Sequence, residues 1–244
     1  MKHIAILGLG PSVTEYLEIT KRLGGRSAFC DEVWTINALG DVFACDLVWH
    51  MDDIRIQQIR AAAKPESNIA RMVDWLKTHK GRVMTSRAHP DFPALEEFPL
   101  ADVVTCFPKA YFNSTAAYAV AYAVFLGVTR QEVAKITIFG NDFTYPNAHH
   151  AEKGRACVEF WLGIAAAHGI ELSIPRVSSL MDALSPQAER FYGYDTLSMK
   201  MSRCDERVAI AFQPIPEDEW PTAEAVEKSY DHTVHPNRMV AAAA

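Results

Sequence analysis

An α/β fold is predicted by three features of this 244-residue chain. Short apolar runs alternate with segments of helical spacing. The runs are apolar throughout, the pattern of strands buried on both faces, so the sheet is parallel and helices cover it on both sides. The first run ends in a glycine-rich turn that opens a helical segment, the arrangement found in nucleotide-binding sheets. The expected architecture is therefore an α/β, Rossmann-like parallel sheet with helices on both faces, followed by a small C-terminal lid or appendage.

The elements follow in order. Residues 3–7 form the first strand, Gly8-Leu9-Gly10-Pro11-Ser12 the turn, and residues 13–23 a helix closed by Gly24-Gly25. Residues 32–36 and 47–50 read as the next strands, with helices over 53–63 and 68–79 and a strand over 82–86. A further strand is expected over 102–105. An alanine-rich helix over 116–127 precedes a β-branched strand over 135–139. A long helix over 151–168 ends at Gly169, and a short strand covers 170–174. Beyond Pro175 the pattern weakens: 187–195 is rich in aromatics, 208–212 reads as an edge strand, 214–220 as an acidic connection and 222–230 as a helix. Residues 1–182 are expected to form the sheet domain, 183–239 its lid, and 240–244 a tail.

Composition bounds the function. A chain 49% hydrophobic and 22% charged, with 24 basic and 30 acidic side chains, is an ordinary globular one. At this length roughly 70% of the extended-chain surface is buried on folding, so the core needs no staples. The net charge of −6 argues against a general polyanion-coating role, while leaving room for a local basic patch that touches nucleic acid. Five cysteines, widely spaced and without a CxxC pair, point to free thiols in a reducing compartment rather than to zinc or disulfides. No secretory leader and no bilayer-length apolar run is read, so a cytoplasmic protein without membrane association is expected.

Four clusters carry chemistry. Gly8-Leu9-Gly10-Pro11-Ser12 puts backbone N–H groups and a helix dipole where a phosphate would sit; Val13 stands where a dinucleotide fingerprint has its third glycine, so NAD is not expected. The alternative is a tight turn in which Ser12 serves the turn itself. Asn37, with His50-Met51-Asp52-Asp53 after the following strand, falls where ligands lie in parallel sheets; Asn37 and Asp52 suit a base or ribose, with a turn residue and a helix cap as alternatives. Asn113-Ser114-Thr115 opens the alanine-rich helix as cap, anion site or both. Finally, Asp142, Tyr145, His149 and His150 gather a carboxylate, a phenol and two imidazoles after a buried strand. A histidine is the natural base for a hydroxyl acceptor, and either of the two could serve. Asp142 binding loop amides is the structural alternative. A metal pair at His149 and His150 is disfavoured, because adjacent residues diverge and no third ligand is near.

These motifs in this order, with Phe125-Leu126-Gly127, Ile136-Thr137-Ile138-Phe139-Gly140-Asn141-Asp142-Phe143 and Ser178-Ser179-Leu180, resemble the bacterial sialyltransferases of glycosyltransferase family 42. They also resemble the related DUF115 proteins, which include a 6-hydroxymethylpterin diphosphokinase, and are similar to phage proteins. The resemblance spans roughly residues 1–182. It implies a cytidine nucleotide-sugar site without metal, with Gly8, Gly10, Ser12, Asn37, Ser114 and Asp142 at nucleotide positions. It further implies Tyr145 facing the phosphate and His149 or His150 as base. Leu9 replaces a family asparagine, and no second tyrosine follows Tyr145 at the family spacing, so sialic acid is not specifically implied.

The expectation is a glycosyltransferase-like enzyme that needs no cofactor, uses a nucleotide-linked donor as substrate and works by direct displacement onto a hydroxyl. A hydroxymethylated base in phage DNA is one acceptor, and a homo-oligomer is open. If phage-encoded, the protein acts in the host cytoplasm. The alternatives are a Mg²⁺- and ATP-dependent pterin-type diphosphokinase and a nucleotide-binding module without catalysis.

Overall fold

The computed structural model describes residues 1–144, 147–182, 193, 196–204 and 207–229. Seven parallel strands form one sheet: β1 (Lys2–Leu7), β2 (Glu32–Ile36), β3 (Leu47–His50), β4 (Val83–Thr85), β5 (Leu95–Glu97), β6 (Val133–Phe139) and β7 (Glu171–Ser173). Their order is β5-β4-β3-β2-β1-β6-β7. The chain steps outward from β1 to β5 on one side, then crosses back to β6 on the other. The order thus reverses between β1 and β6, and the carboxyl ends of these two strands mark the switch point.

Alternate residues of the buried strands feed two layers. Ile4, Ile6, Trp34, Ile36, Trp49, Ile136 and Ile138 pack under α5 (Thr115–Arg130) and α6 (Ala148–Ala167). On the opposite face, Ala5, Leu7, Val33 and Phe139 meet Tyr16 of α1 (Val13–Leu23). Val48 and Val83 pack with Ile54 of α2 (Ile54–Ala63) and with Val73 and Leu76 of α3 (Asn68–Thr78). The alanines of α5, buried at 116, 117, 119, 121 and 123, let that helix lie close against the central strands. Caps set the ends: Ser67 accepts from Ala70 N–H, Asp53 from Arg55 N–H, and Gly24 closes α1 in the left-handed region that glycine enters without strain.

The expected α/β fold with a parallel sheet is present, with two local corrections. Residues 102–105 are not a strand; they lie in α4 (Leu100–Cys106), which starts directly after Pro99 and buries Val103. The outer strand is instead β5, where only Leu95 is buried and the exposed Glu96 and Glu97 keep the edge charged. Beyond the sheet, β8 (Leu197–Cys204) and β9 (Arg207–Pro214) pair antiparallel as a separate hairpin, so residues 208–212 are a strand but not an edge of the main sheet. A short helix, α7 (Ala223–Ser229), follows. The aromatic stretch 187–195, Gly193 apart, and the tail 240–244 lie outside the described residues. Among the described residues no helix is long and apolar enough to cross a membrane.

Candidate functional site

A cleft of about 580 Å³ opens at the switch point. Loops after β1, β2, β3 and β6 and the amino-terminal turns of α5 and α6 line it. Gly8, Gly10, Pro11, Asn37, Asp52, Asn113, Ser114, Thr115, Asp142 and His150 all reach it. Parallel sheets bring such segments together because each strand delivers its following loop to the same edge.

The β1 and β6 loops make the first wall. Gly8 N–H donates to Phe139 O at 2.7 Å and Gly10 N–H to Gly140 O at 2.6 Å. Ser12 N–H and its hydroxyl donate to the two oxygens of Asp142, at 2.8 and 2.6 Å, and the same hydroxyl accepts from Gly140 N–H at 2.6 Å. Ser12 and Asp142 are both buried. The amides of Val13, Thr14 and Glu15 close the first turn of α1 on Gly10, Pro11 and Ser12 carbonyls. Free amides for a phosphate were expected here; those of Gly8, Gly10 and Ser12 are instead spent within the protein, and Ser12 faces Asp142 rather than the cleft, while Leu9 lines it. The glycines have a corresponding reason. A Cβ on Gly8 would collide with the Gly140 carbonyl, one on Gly10 with Asp142, and one on Gly140, whose φ is +66°, with the Gly8 carbonyl. Backbone presses on backbone, and only glycine allows it. Burial, with the Asp142 charge second, raises the Glu15 carboxyl above its ordinary value.

The second wall comes from β2, β3 and α5. Asn37 sits at φ 52°, in the left-handed region that asparagine tolerates better than most residues, and its Oδ1 lies 3.1 Å from Nδ1 of buried His50. Burial pushes the His50 imidazole below its usual value, opposed in part by the Asp52 charge. The two aspartates divide the roles left open by sequence: Asp53 caps α2, whereas Asp52 lines the cleft. Ser114 caps α5 by accepting from Ala117 N–H, and Asn113 N–H reaches the Cys157 sulfur at 3.4 Å. The Asn113-Ser114-Thr115 triplet therefore serves as cap and as cleft wall together.

The third part is the start of α6. Asn147 caps it through His150 N–H at 3.1 Å, and the helix begins at Ala148, three residues before the expected start. Successive helical residues point roughly 100° apart. Both histidines are exposed, but His150 lines the cleft and His149 is not among the lining residues. Tyr145 lies outside the described residues.

Sequence reasoning did not single out Leu9, Ile36, Ala116, Gly140, Asn141, Phe143 and Thr144 as site residues, although each lines the cleft. Phe143 is held at φ 51°, a strained conformation for a bulky side chain, in the loop facing Gly10. Its signal was its position in the loop after β6. Among the described lining residues there is neither lysine nor arginine. The described residues contain no group of three or more His, Cys, Asp or Glu that could hold a metal ion. No protein-family model matches the chain, and no curated protein matches it.

Proposed function

We propose that the protein is a transferase that binds a nucleotide-linked donor in this cleft and passes the donor group to a hydroxyl, as a glycosyltransferase does. One observation carries the reading: six stretches of chain converge at the switch point of a parallel sheet around a cleft of about 580 Å³, with an imidazole on its rim. Such a volume suits a nucleotide-sized ligand.

In this reading Asn37 and Asp52 hold the nucleoside, since a carboxamide both donates and accepts and a carboxylate accepts from ribose hydroxyls. With the Gly8, Gly10 and Ser12 amides consumed, the donor phosphate sits at the start of α5, where Ser114, Thr115 and Ala116 line the cleft and the helix dipole is positive. His150 removes the acceptor proton while the acceptor oxygen attacks the sugar carbon from the face opposite the leaving group. The bond from that carbon to the phosphate oxygen breaks, its electron pair remains on the phosphate, and the configuration inverts. Tyr145 is the candidate donor to the departing phosphate.

Thermal shift across CMP, CDP, UDP, GDP, ADP and pterins tests the binding half. Stabilisation by one nucleotide family is expected, and silence across the panel overturns the reading. With the matching nucleotide sugar, His150→Ala is expected to lower turnover by about 10²- to 10⁴-fold, and His149→Ala to leave it nearly unchanged. Transfer is expected to persist in excess chelator. Activity that needs ATP and vanishes with chelation would instead identify a diphosphokinase.

A further inference from the structure

His50 ends β3 and is 1% exposed, yet the mechanism above does not use it. Its Nδ1 lies 3.1 Å from Asn37 Oδ1. A carbonyl oxygen only accepts, so this contact requires the proton on Nδ1 and leaves a lone pair on Nε2. That Nε2 has no partner, and neither does the hydroxyl of Thr85, fully buried on β4. The two residues are register partners on adjacent parallel strands. Period-two alternation puts both on the face shared by Val48 and Val83. The reverse arrangement, with the Asn37 NH₂ turned to Nδ1, would bury an unpaired Nε2–H, and orphaned buried N–H groups are rarer than under-satisfied acceptors. Burial also keeps the ring uncharged, which suits a single Nδ1 proton.

We propose that His50 is a positioning residue that pins the Asn37 carboxamide by its oxygen and turns the NH₂ group into the cleft, so that this wall donates hydrogen bonds and selects an acceptor atom on the ligand. The ligand part rests on the nucleotide reading above: the group facing Asn37 is then a carbonyl oxygen, an unprotonated ring nitrogen or a ribose oxygen, and a ring N–H at that place is rejected. The left-handed backbone of Asn37 adds to the fixation, since it directs the side chain from the end of β2 toward both His50 and the cleft.

Long-range ¹H–¹⁵N correlation NMR on the full chain reads the tautomer directly. The Nδ1–H form of His50 is expected at pH 7; the Nε2–H form overturns the proposal. On addition of the nucleotides named above, the Asn37 side-chain NH₂ resonances are expected to move, and unmoved resonances with a bound nucleotide also overturn it. His50→Phe, which keeps a ring but loses the donor, is expected to weaken nucleotide binding about 10-fold, and His50→Gln, which keeps a donor, to restore most of it. Unchanged affinity in His50→Phe counts against the proposal. If His50→Phe does not fold, the wild-type tautomer and NH₂ shifts still decide. Nucleotide binding together with an Nε2–H tautomer would sink this inference and leave the nucleotide reading standing. No nucleotide response at all would sink the nucleotide reading, while the tautomer would still decide which way the Asn37 amide faces.

Discussion

The two main walls of the cleft are built from similar residue types and do opposite work. On the β1–β6 side, Gly8, Gly10, Ser12 and Asp142 direct their hydrogen bonds into one another's loops. On the β2–β3–α5 side, Asn37, Asp52 and Thr115 line the same cleft, and the contacts that do exist, His50 to Asn37 and the Ser114 cap, hold groups in place at its edge. A glycine-rich turn after the first strand is thus a joint between loops, and in the proposed reading recognition falls to the facing wall. The absence of lysine and arginine among the described lining residues fits this division, because helix-terminal amides are left as the source of positive potential.

Substitutions on the two walls should separate stability from binding. The largest loss of stability is expected from Asp142→Ala, which strands the Ser12 N–H and hydroxyl in a buried site. A cost of about 3 kcal/mol corresponds to a Tm lower by roughly 6–12 °C in a chain of this size. A Tm within a degree of wild type would show that the joint is not structural. On the other wall, Ser114→Ala removes a helix cap worth about 1 kcal/mol, a Tm change of roughly 2–4 °C, and should weaken nucleotide binding out of proportion to that loss. Binding that follows stability in both variants would erase the contrast between the walls.

The smallest expected effect is a gradual one with pH. His50, His3 and His79 are each held below the usual value of 6.5, with burial the leading cause. The unfolded chain therefore binds more protons than the folded one just below pH 6.5. The stability these rings contribute is complete above that pH and is lost as the pH falls toward their lower folded values. A Tm that declines from pH 7 to pH 5 is expected, and His50→Phe should flatten the decline without abolishing it, because His3 and His79 remain. A Tm that rises on acidification over this range contradicts the assignment.

The buried strands were legible because each is a continuous apolar run between turn residues, and position alone delivered Asn37, Asp52 and Asn113-Ser114-Thr115 to one edge. Residues 102–105 misled because Val103-Val104-Thr105 carries strand-forming side chains, while Pro99 and the burial of Val103 alone favour a single short helix. The outer strand at 95–97 was hidden by its two glutamates. The joint between Ser12 and Asp142 was visible only as two separate alternatives, a turn serine and a loop-binding aspartate. Nothing local reveals that one satisfies the other. The pair His149-His150 was resolved only by the true start of α6, which decides which of two adjacent side chains faces the cleft.

The joint also says when the cleft can come into being. Ser12 and Asp142 are 130 residues apart, and β1, central in the finished sheet, has β6 as its neighbour on one side. During synthesis β1 can pair with β2 early, but its other side stays an open edge until residues 133–139 emerge, roughly 10 s later at ordinary elongation rates. For that interval the growing chain carries an exposed hydrogen-bonding edge of apolar residues, the feature most prone to pairing with other chains. The β1–β6 wall of the cleft therefore forms late, with only β7 still to be added at the sheet edge, and chaperone demand should peak while β6 is still inside the ribosome.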